Sequence, residues 1–119
     1  MKKTARMISY KQQDVILVDF GFSEGAGSKK RPALIISSDS YHKNRQEIII
    51  AAITSNTERV LFGDTKIADW QRAGLLYPSL VTAIIRTIKD NLILHKLGIL
   101  SKADFQEVQE NIRKSLNKT

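Results

Sequence analysis

The feature that most constrains the fold is a succession of short, β-branched apolar runs separated by polar residues and glycine. Such residues suit the pleated surface of a sheet, and runs of this length predict strands. The runs cover residues 14–20 (DVILVDF), 33–36 (ALII), 47–55 (EIIIAAITS) and 78–88 (PSLVTAIIRTI). A further strand, interrupted at Gly63, is predicted over residues 61–67, and residues 37–46 are predicted to form a polar connection. Several short strands favour a small β-barrel or a strongly curved antiparallel sheet.

The C-terminal end departs from this pattern and predicts one helix. Ser101, with Asp104 three residues later, resembles a capping box in which Asp takes the position usually held by Glu. Four apolar residues then recur at helical spacing: Phe105, Val108, Ile112 and Leu116. This single apolar stripe predicts a helix that packs on the sheet, and docking of a partner on the stripe is the less favoured alternative.

The composition indicates a single basic domain. The chain has 119 residues, and we take residues 1–119 as one domain with residues 1–11 as a loose N-terminal arm. Lys and Arg number 19 against 12 Asp and Glu, and the net charge of +7 favours polyanionic partners such as nucleic acid. Neither a secretory signal nor a membrane-spanning apolar run is present, so a cytoplasmic protein is expected.

The same composition narrows the chemistry. The absence of cysteine excludes a disulfide framework, a thiol nucleophile and a thiolate metal site. The two histidines, His42 and His95, are far apart in sequence, which gives little support to a histidine-based metal site. We therefore expect no metal and no cofactor.

One segment joins a flexible-looking loop to a buried strand. Residues 21–28 hold three glycines and two serines and favour neither helix nor strand. Lys29, Lys30 and Arg31 follow, and then Pro32, which has no N–H for a ladder and is predicted to be the first residue of the next strand. An arginine held by such neighbours is well placed to bind phosphate through its planar guanidinium group. The alternative is an ordinary solvated arginine on an edge strand.

The order of these segments carries a resemblance to a known family. The chain runs from the strand DVILVDF through the glycine- and serine-bearing loop to KRPALIIS, IIIAAITS, PSLVTAIIRTI and a final helix. This order resembles the MazF/PemK/Kid family of toxins from type II toxin–antitoxin systems, over about residues 12–116. The paired signatures Arg31-Pro32 and Ala51-Ala52-Ile53-Thr54 carry most of the similarity.

The resemblance implies a fold and a function. The fold would be mainly β with helices, an SH3-like small β-barrel of the CcdB/Kid type with a C-terminal helix, working as a homodimer. The function would be that of a growth-inhibiting toxin, a sequence-selective, metal-independent endoribonuclease of the mRNA interferase type. Its partners would be single-stranded RNA and a cognate antitoxin that masks the activity.

The resemblance also implies site residues. Arg31 and Thr54 match the positions of catalytic residues in the family. The loop before Arg31, and positions on two strands, are implied in RNA binding: Ser23, Glu24, Gly25, Ser28, Lys29, Lys30, Ser55, Arg86 and Thr87. For His42 we favour a solvated loop position, with contact to RNA as the alternative.

The residues themselves support part of this chemistry. Metal-free RNA cleavage uses the 2′-hydroxyl to attack the adjacent phosphate, and negative charge gathers on the phosphoryl oxygens. Arg31 would stabilise that charge, and the Thr54 hydroxyl would donate to the same oxygens or orient the 2′-hydroxyl. For Thr54, a purely structural role at the end of a strand is the simpler alternative.

Two positions depart from the family pattern. Some members have an acidic residue three positions before the arginine of the IRTI segment, where this chain has Ala83, and another acid where it has Lys89. A role in proton transfer borne by such a carboxylate is therefore absent here. This keeps open a second hypothesis, a non-catalytic RNA- or protein-binding module of the same fold.

Overall fold

The computed structural model describes residues 7–20 and 29–117. The strands are β1 (Asp14–Asp19), β2 (Lys30–Ile35), β3 (Ile48–Thr54), β4 (Thr65–Lys66), β5 (Leu80–Ile88) and β6 (Ile93–Ile99). The helices are α1 (Asp39–Arg45) and α2 (Lys102–Leu116), and a single 3₁₀ turn spans Asp90–Leu92. Among these residues, no helix is long and apolar enough to cross a membrane.

The six strands form one antiparallel sheet in the order β4-β5-β3-β2-β1-β6. The β1–β6 register shifts twice and the β3–β5 register shifts once, between Ala51 and Ile53. Such irregularities bend strands and increase their twist. The predicted fold, a strongly curved small β-structure with a C-terminal helix, is confirmed, although β4 and β6 remain edges and the described sheet is not closed.

The sheet buries both of its faces. Ala33 and Ile35 point into one apolar cluster, whereas Leu34 between them points into the other, which α2 covers. All three residues are buried, as expected for a strand that is apolar without alternation. The run at residues 33–36 was therefore correctly predicted to be a central strand.

Helix α2 packs as predicted, except at its last residue. Phe105, Val108 and Ile112 are buried in the same cluster as Leu34, whereas Leu116 is 74% exposed. The helix begins as predicted, because the Ser101 hydroxyl accepts a hydrogen bond from the Asp104 N–H at 3.1 Å. The Asp104 carboxylate has a different use from the one a capping box predicts: it accepts the backbone N–H groups of Ala68 and Asp69 at 3.1 and 3.0 Å.

Two predicted segments were wrong. Residues 37–46 were predicted to be a polar connection, but they contain the short helix α1. The Ser38 hydroxyl caps this helix by accepting the Tyr41 N–H, and Gln46 ends it in a left-handed conformation. The strand predicted over residues 61–67 shrinks to Thr65–Lys66. A tight turn replaces its first half: Gly63 has φ +95°, and the Asp64 carboxylate accepts the Leu61 N–H at 2.9 Å.

Candidate active site

Arg31 lies on a part of β2 that is paired on one side only. The strand pairs with β1 from Lys30 onward, but its pairing with β3 begins only at Ala33. Pro32 lies just before that point, where a missing N–H interrupts no β2–β3 ladder. It is the third residue of β2, not the first as predicted, and the physical reason for its placement is the late start of the second ladder.

The strand register brings Arg31 next to Thr54. Ala33 is paired with Ala52 and Leu34 with Ala51, so the same antiparallel register continued by two residues sets Arg31 opposite Thr54. Both side chains line one groove of about 430 Å³, which we call the Arg–Thr groove. The residues of this groove used below are Lys30, Arg31, Thr54, Ser55, Leu76 and Tyr77.

The Thr54 hydroxyl is held by its own turn. Its oxygen accepts the Asn56 N–H at 3.1 Å, immediately after the end of β3. This bond uses one lone pair, and a hydroxyl has in addition a second lone pair and a donor proton. The half-buried side chain is therefore oriented by the backbone while keeping the chemistry needed to donate to an oxyanion.

A second groove shares Arg31 and lies on the other side of β2. We call it the Phe–Arg groove, of about 330 Å³, and its main lining residues are Phe20, Lys29, Arg31, Ala52, Ile84 and Arg86. The Arg86 guanidinium carbon lies 5.2 Å from the centroid of the Phe20 ring, which is a cation–π distance. The Phe20 N–H donates to the Lys29 carbonyl at 2.9 Å.

The two grooves together present a positive surface. Lys29 lines the Phe–Arg groove, Lys30 lines the Arg–Thr groove, and Arg31 lines both. Arg86 supplies a further exposed charge on β5. Among the described residues that line either groove, none is acidic. The site is thus suited to a polyanion that passes over the ends of β2 and β3.

Comparison with known proteins agrees with this geometry. The sequence profile of the family described as "PemK-like, MazF-like toxin of type II toxin-antitoxin system" matches residues 11–116, most of the chain. The chain belongs to this family. The family predicted from the Arg-Pro and Ala-Ala-Ile-Thr signatures is therefore confirmed. Among curated proteins, no sequence matches.

Solved structures share the fold of this toxin at low sequence identity. A MazE–MazF complex from Deinococcus radiodurans has a TM-score of 0.77 at 14% identity, covering 94% of this chain and 99% of that one. The Mycobacterium tuberculosis toxin MazF-mt6 has a TM-score of 0.69 at 21% identity, covering 86% and 94%. An endoribonuclease in complex with its cognate antitoxin, from a mycobacterial species, has a TM-score of 0.72 at 16% identity, covering 93% and 100%.

Most of the predicted site residues that the structure describes come together in the toxin. Arg31, Thr54, Lys30 and Ser55 line the Arg–Thr groove, while Lys29 and Arg86 join Arg31 in the Phe–Arg groove. Thr87 does not join them, because it follows Arg86 directly on β5 and so lies on the opposite face of the strand. The predicted loop residues Ser23, Glu24, Gly25 and Ser28 lie outside the described residues.

His42 is not the solvated loop residue that the sequence predicts. It lies on α1 at 3% exposure, with its Nε2 atom 2.6 Å from the Ser37 hydroxyl, which also accepts the Ile49 N–H. Burial lowers the pKa of His42, and the nearby Asp39 carboxylate opposes this shift only in part. A neutral His42 ring, whose Nε2 accepts a hydrogen bond from the Ser37 hydroxyl, explains this short contact. His42 lines neither groove, which argues against the RNA contact considered from sequence.

Sequence reasoning missed the far wall of the Arg–Thr groove. The turn before β5 supplies Leu75, Leu76 and Tyr77 to this wall. The turn lies against β6 through two glycines: a Cβ on Gly74 would collide with the Leu97 carbonyl, and one on Gly98 would collide with the Ala73 carbonyl. The sequence shows Gly74 followed by apolar residues, and this pattern does not reveal that the turn contacts β6.

Proposed function

We propose that this toxin is an endoribonuclease that cuts single-stranded RNA in the cytoplasm at selected sequences, without a metal ion. The observation that carries the proposal is that Arg31 and Thr54 line one groove at the ends of β2 and β3, and that this groove contains a lysine and no described acidic residue. Two of the solved structures that share the fold are named endoribonucleases, which supports the same class of reaction.

The proposed reaction is a transesterification within the RNA strand. The 2′-hydroxyl oxygen bonds to the adjacent phosphorus and loses its proton, while the bond from phosphorus to the 5′-oxygen breaks and that oxygen gains a proton. The products are a 2′,3′-cyclic phosphate and a 5′-hydroxyl. Arg31 would hold the phosphoryl oxygens through two N–H groups, so that its charge is already in place as negative charge develops.

The other groove residues would hold the substrate on either side of the cleaved bond. The Thr54 hydroxyl would donate to the phosphoryl oxygens or orient the 2′-hydroxyl. Lys29, Lys30 and Arg86 would bind neighbouring phosphates, and Ser55 would add a hydrogen bond. Ser23, Glu24, Gly25 and Ser28 stay predictions as RNA contacts. Neither His42 nor His95 lines the Arg–Thr groove or the Phe–Arg groove, so we assign proton transfer to neither.

The test is cleavage of a long single-stranded RNA in EDTA by the purified chain, by Arg31→Ala and by Thr54→Val. We expect discrete cuts from the original chain, with cyclic phosphate and 5′-hydroxyl ends. Loss of an electrostatic donor of this kind lowers the rate by about 10²–10³-fold, which is the decrease expected for Arg31→Ala. Thr54→Val keeps the side-chain shape but removes the hydroxyl together with its bond to the Asn56 N–H, so a lower rate with unchanged thermal unfolding reports the loss of the donor.

Arg45→Ala provides a matched control, because Arg45 is 60% exposed on α1 and lines neither groove. It should cut at the original rate. Unchanged cleavage by Arg31→Ala would contradict the assignment. RNA binding without any cleavage by the folded original chain would favour the non-catalytic binding module instead.

We further propose that the toxin is a homodimer. Support comes from an exposed apolar patch formed by Val60, Leu61, Phe62, Ile85 and Leu116. The three segments that carry these residues meet at Gly63, where a Cβ would contact the side chains of Ser115 at the end of α2 and Ala83 on β5. Exposed apolar surface of this kind marks interaction sites.

Sedimentation measurements test the dimer directly. Phe62→Ser combined with Leu116→Ser should give a monomer, since these side chains are the most exposed of the patch, at 76% and 74%. Leu92→Ser, on the 3₁₀ turn outside the patch, should leave the dimer intact. An original chain that stays monomeric at all concentrations would refute the proposal.

The remaining proposed partner is a cognate antitoxin. Some of the solved structures that share the fold are complexes with an antitoxin. The basic grooves of this chain would favour an acidic segment that covers them and excludes RNA. Co-expression of a small acidic protein encoded beside this gene should block cleavage, and failure to bind it would remove that protein as the partner.

A further inference from the structure

We propose that Tyr77 is a base-stacking platform of the Arg–Thr groove and helps to select where RNA is cut. The inference rests on the proposed endoribonuclease function and deepens it by naming a specificity-determining residue. The ligand is the base of an unpaired nucleotide next to the phosphate held by Arg31.

The groove has the two properties that a nucleotide requires. One wall offers the cations Lys30 and Arg31, which suit the phosphate. The turn before β5 adds the apolar residues Leu75 and Leu76 and also Tyr77, which is 63% exposed even though it lines the groove. An exposed aromatic ring in the same groove as phosphate-binding cations matches the recognition of single-stranded nucleic acid, where successive bases stack on aromatic side chains.

The backbone of Tyr77 is held in place by several local constraints. Pro78 follows it and restricts its conformation to the extended region. The buried Ser79 hydroxyl donates to the Tyr77 carbonyl at 2.8 Å. The turn that leads to it is fixed against β6 by the close approach of Gly74 and Gly98. A backbone that is already positioned lowers the conformational entropy lost when a base stacks on the ring.

An aromatic side chain at position 77 would do something that a further cation in the groove would not. Phosphate binding alone would be supplied by the cations, and it carries no sequence information. A stacked base is instead held by a contact that depends on the size of its ring system. Tyr77 would thereby give a modest preference for bases with larger ring systems at one position of the cut site, whereas Arg31 acts on every phosphate equally.

The experiment uses the full chain in EDTA with a short RNA that contains one cut site mapped for the original protein. Tyr77→Ala should raise KM by about 5- to 150-fold with little change in kcat, since base stacking contributes to substrate binding before and during the reaction. Tyr77→Phe keeps the ring and should behave like the original chain. Tyr41→Ala is the matched control, because Tyr41 lies on α1 and lines neither groove.

A second set of RNAs, each lacking one base, locates the stacked nucleotide. The penalty of Tyr77→Ala should disappear at one abasic position and persist at the others. Three results would overturn the inference: Tyr77→Ala with the original KM, Tyr77→Phe as impaired as Tyr77→Ala, or a changed oligomeric state of Tyr77→Ala. If the original chain cuts no RNA, the proposed function fails by itself, and equal RNA affinity of the original and Tyr77→Ala chains would then reject the stacking role as well.

Discussion

Asp104 is the buried carboxylate that ties α2 to the turn behind the Arg–Thr groove. It is 4% exposed, and its two oxygens accept the N–H groups of Ala68 and Asp69 at 3.1 and 3.0 Å. Its own N–H is satisfied separately by the Ser101 hydroxyl, so the helix cap does not depend on the carboxylate. Asp104→Asn therefore changes one connection, that between α2 and the turn.

The magnitude follows from the loss of one acceptor. Asparagine keeps one oxygen, but it turns an NH₂ group toward the other backbone N–H. A hydrogen bond to a charged group contributes about 1.5–3 kcal/mol. Because Ala68 and Asp69 are exposed residues, water recovers part of this loss. We expect the free energy of unfolding to fall by about 2 kcal/mol, at the lower end of that range.

Urea unfolding measures this change through the fluorescence of Trp70, the only tryptophan of the chain. Trp70 lies in the same turn and packs against the core cluster that α2 covers. Glu107→Gln is the control, since it removes an exposed carboxylate from the same helix and should change stability by less than about 0.5 kcal/mol. If Asp104→Asn is as stable as Glu107→Gln, the two hydrogen bonds do not hold the turn as described.

Two further predictions concern the surroundings of the site. The lowered pKa of His42 means that the unfolded chain takes up a proton near pH 6.5, whereas the folded chain does so only at lower pH. The contribution of His42 to the free energy of unfolding should therefore be fully retained above that pH. Below it, the free energy of unfolding should fall by up to about 1.4 kcal/mol per pH unit. His42→Gln should abolish this pH dependence, and an equal decrease in the variant and the original chain would refute the prediction. Gly74→Ala places a side chain on a residue with a left-handed backbone conformation, and its Cβ would collide with the Leu97 carbonyl. The substitution should lower the free energy of unfolding by at least about 1 kcal/mol and raise KM for RNA. Unchanged thermal unfolding and cleavage would contradict the packing of the turn on β6.

A strand or helix could be predicted when its own residues show an apolar pattern that is typical of that structure. The apolar run at residues 33–36 is buried on both faces, and such a run needs no partner to be recognised as a strand. Helix α1 has no comparable stripe, because His42 is its only buried residue. Its cap at Ser38 was the available signal. Leu116 has the right spacing for the stripe of α2, but it lies on the apolar patch proposed for dimerisation.

The Arg31 and Thr54 pair could be inferred because a family signature named both residues before their geometry was known. Composition alone gave only a preference for polyanions, and no spacing rule connects positions in two separate strands. The structure supplies the physical link, which is the antiparallel register of Ala33 with Ala52. Thr87 matched the same family pattern, yet the alternation of side chains on β5 separates it from Arg86. A matching signature therefore identifies candidate positions, and the register decides which of them can meet.

The residues of the Arg–Thr groove come from two kinds of structure, the sheet and a turn. This difference affects which of them can be substituted without disturbing the fold, and therefore how the RNA sequence that is cut could change. Arg31 and Thr54 lie on paired central strands, where a change of register would turn every side chain to the other face. Leu76 and Tyr77 lie on a connection outside the sheet, which is held by backbone contacts at Gly74 and Gly98, by the Ser79 hydroxyl and, at its start, by the carboxylate of Asp104. Side chains on that turn can be exchanged without disturbing the sheet. Under the proposed roles, the residues for cleavage lie on the sheet and the residue for base preference lies on a turn. Substitutions at Tyr77 should therefore change the preferred base while leaving the reaction at the phosphate unchanged.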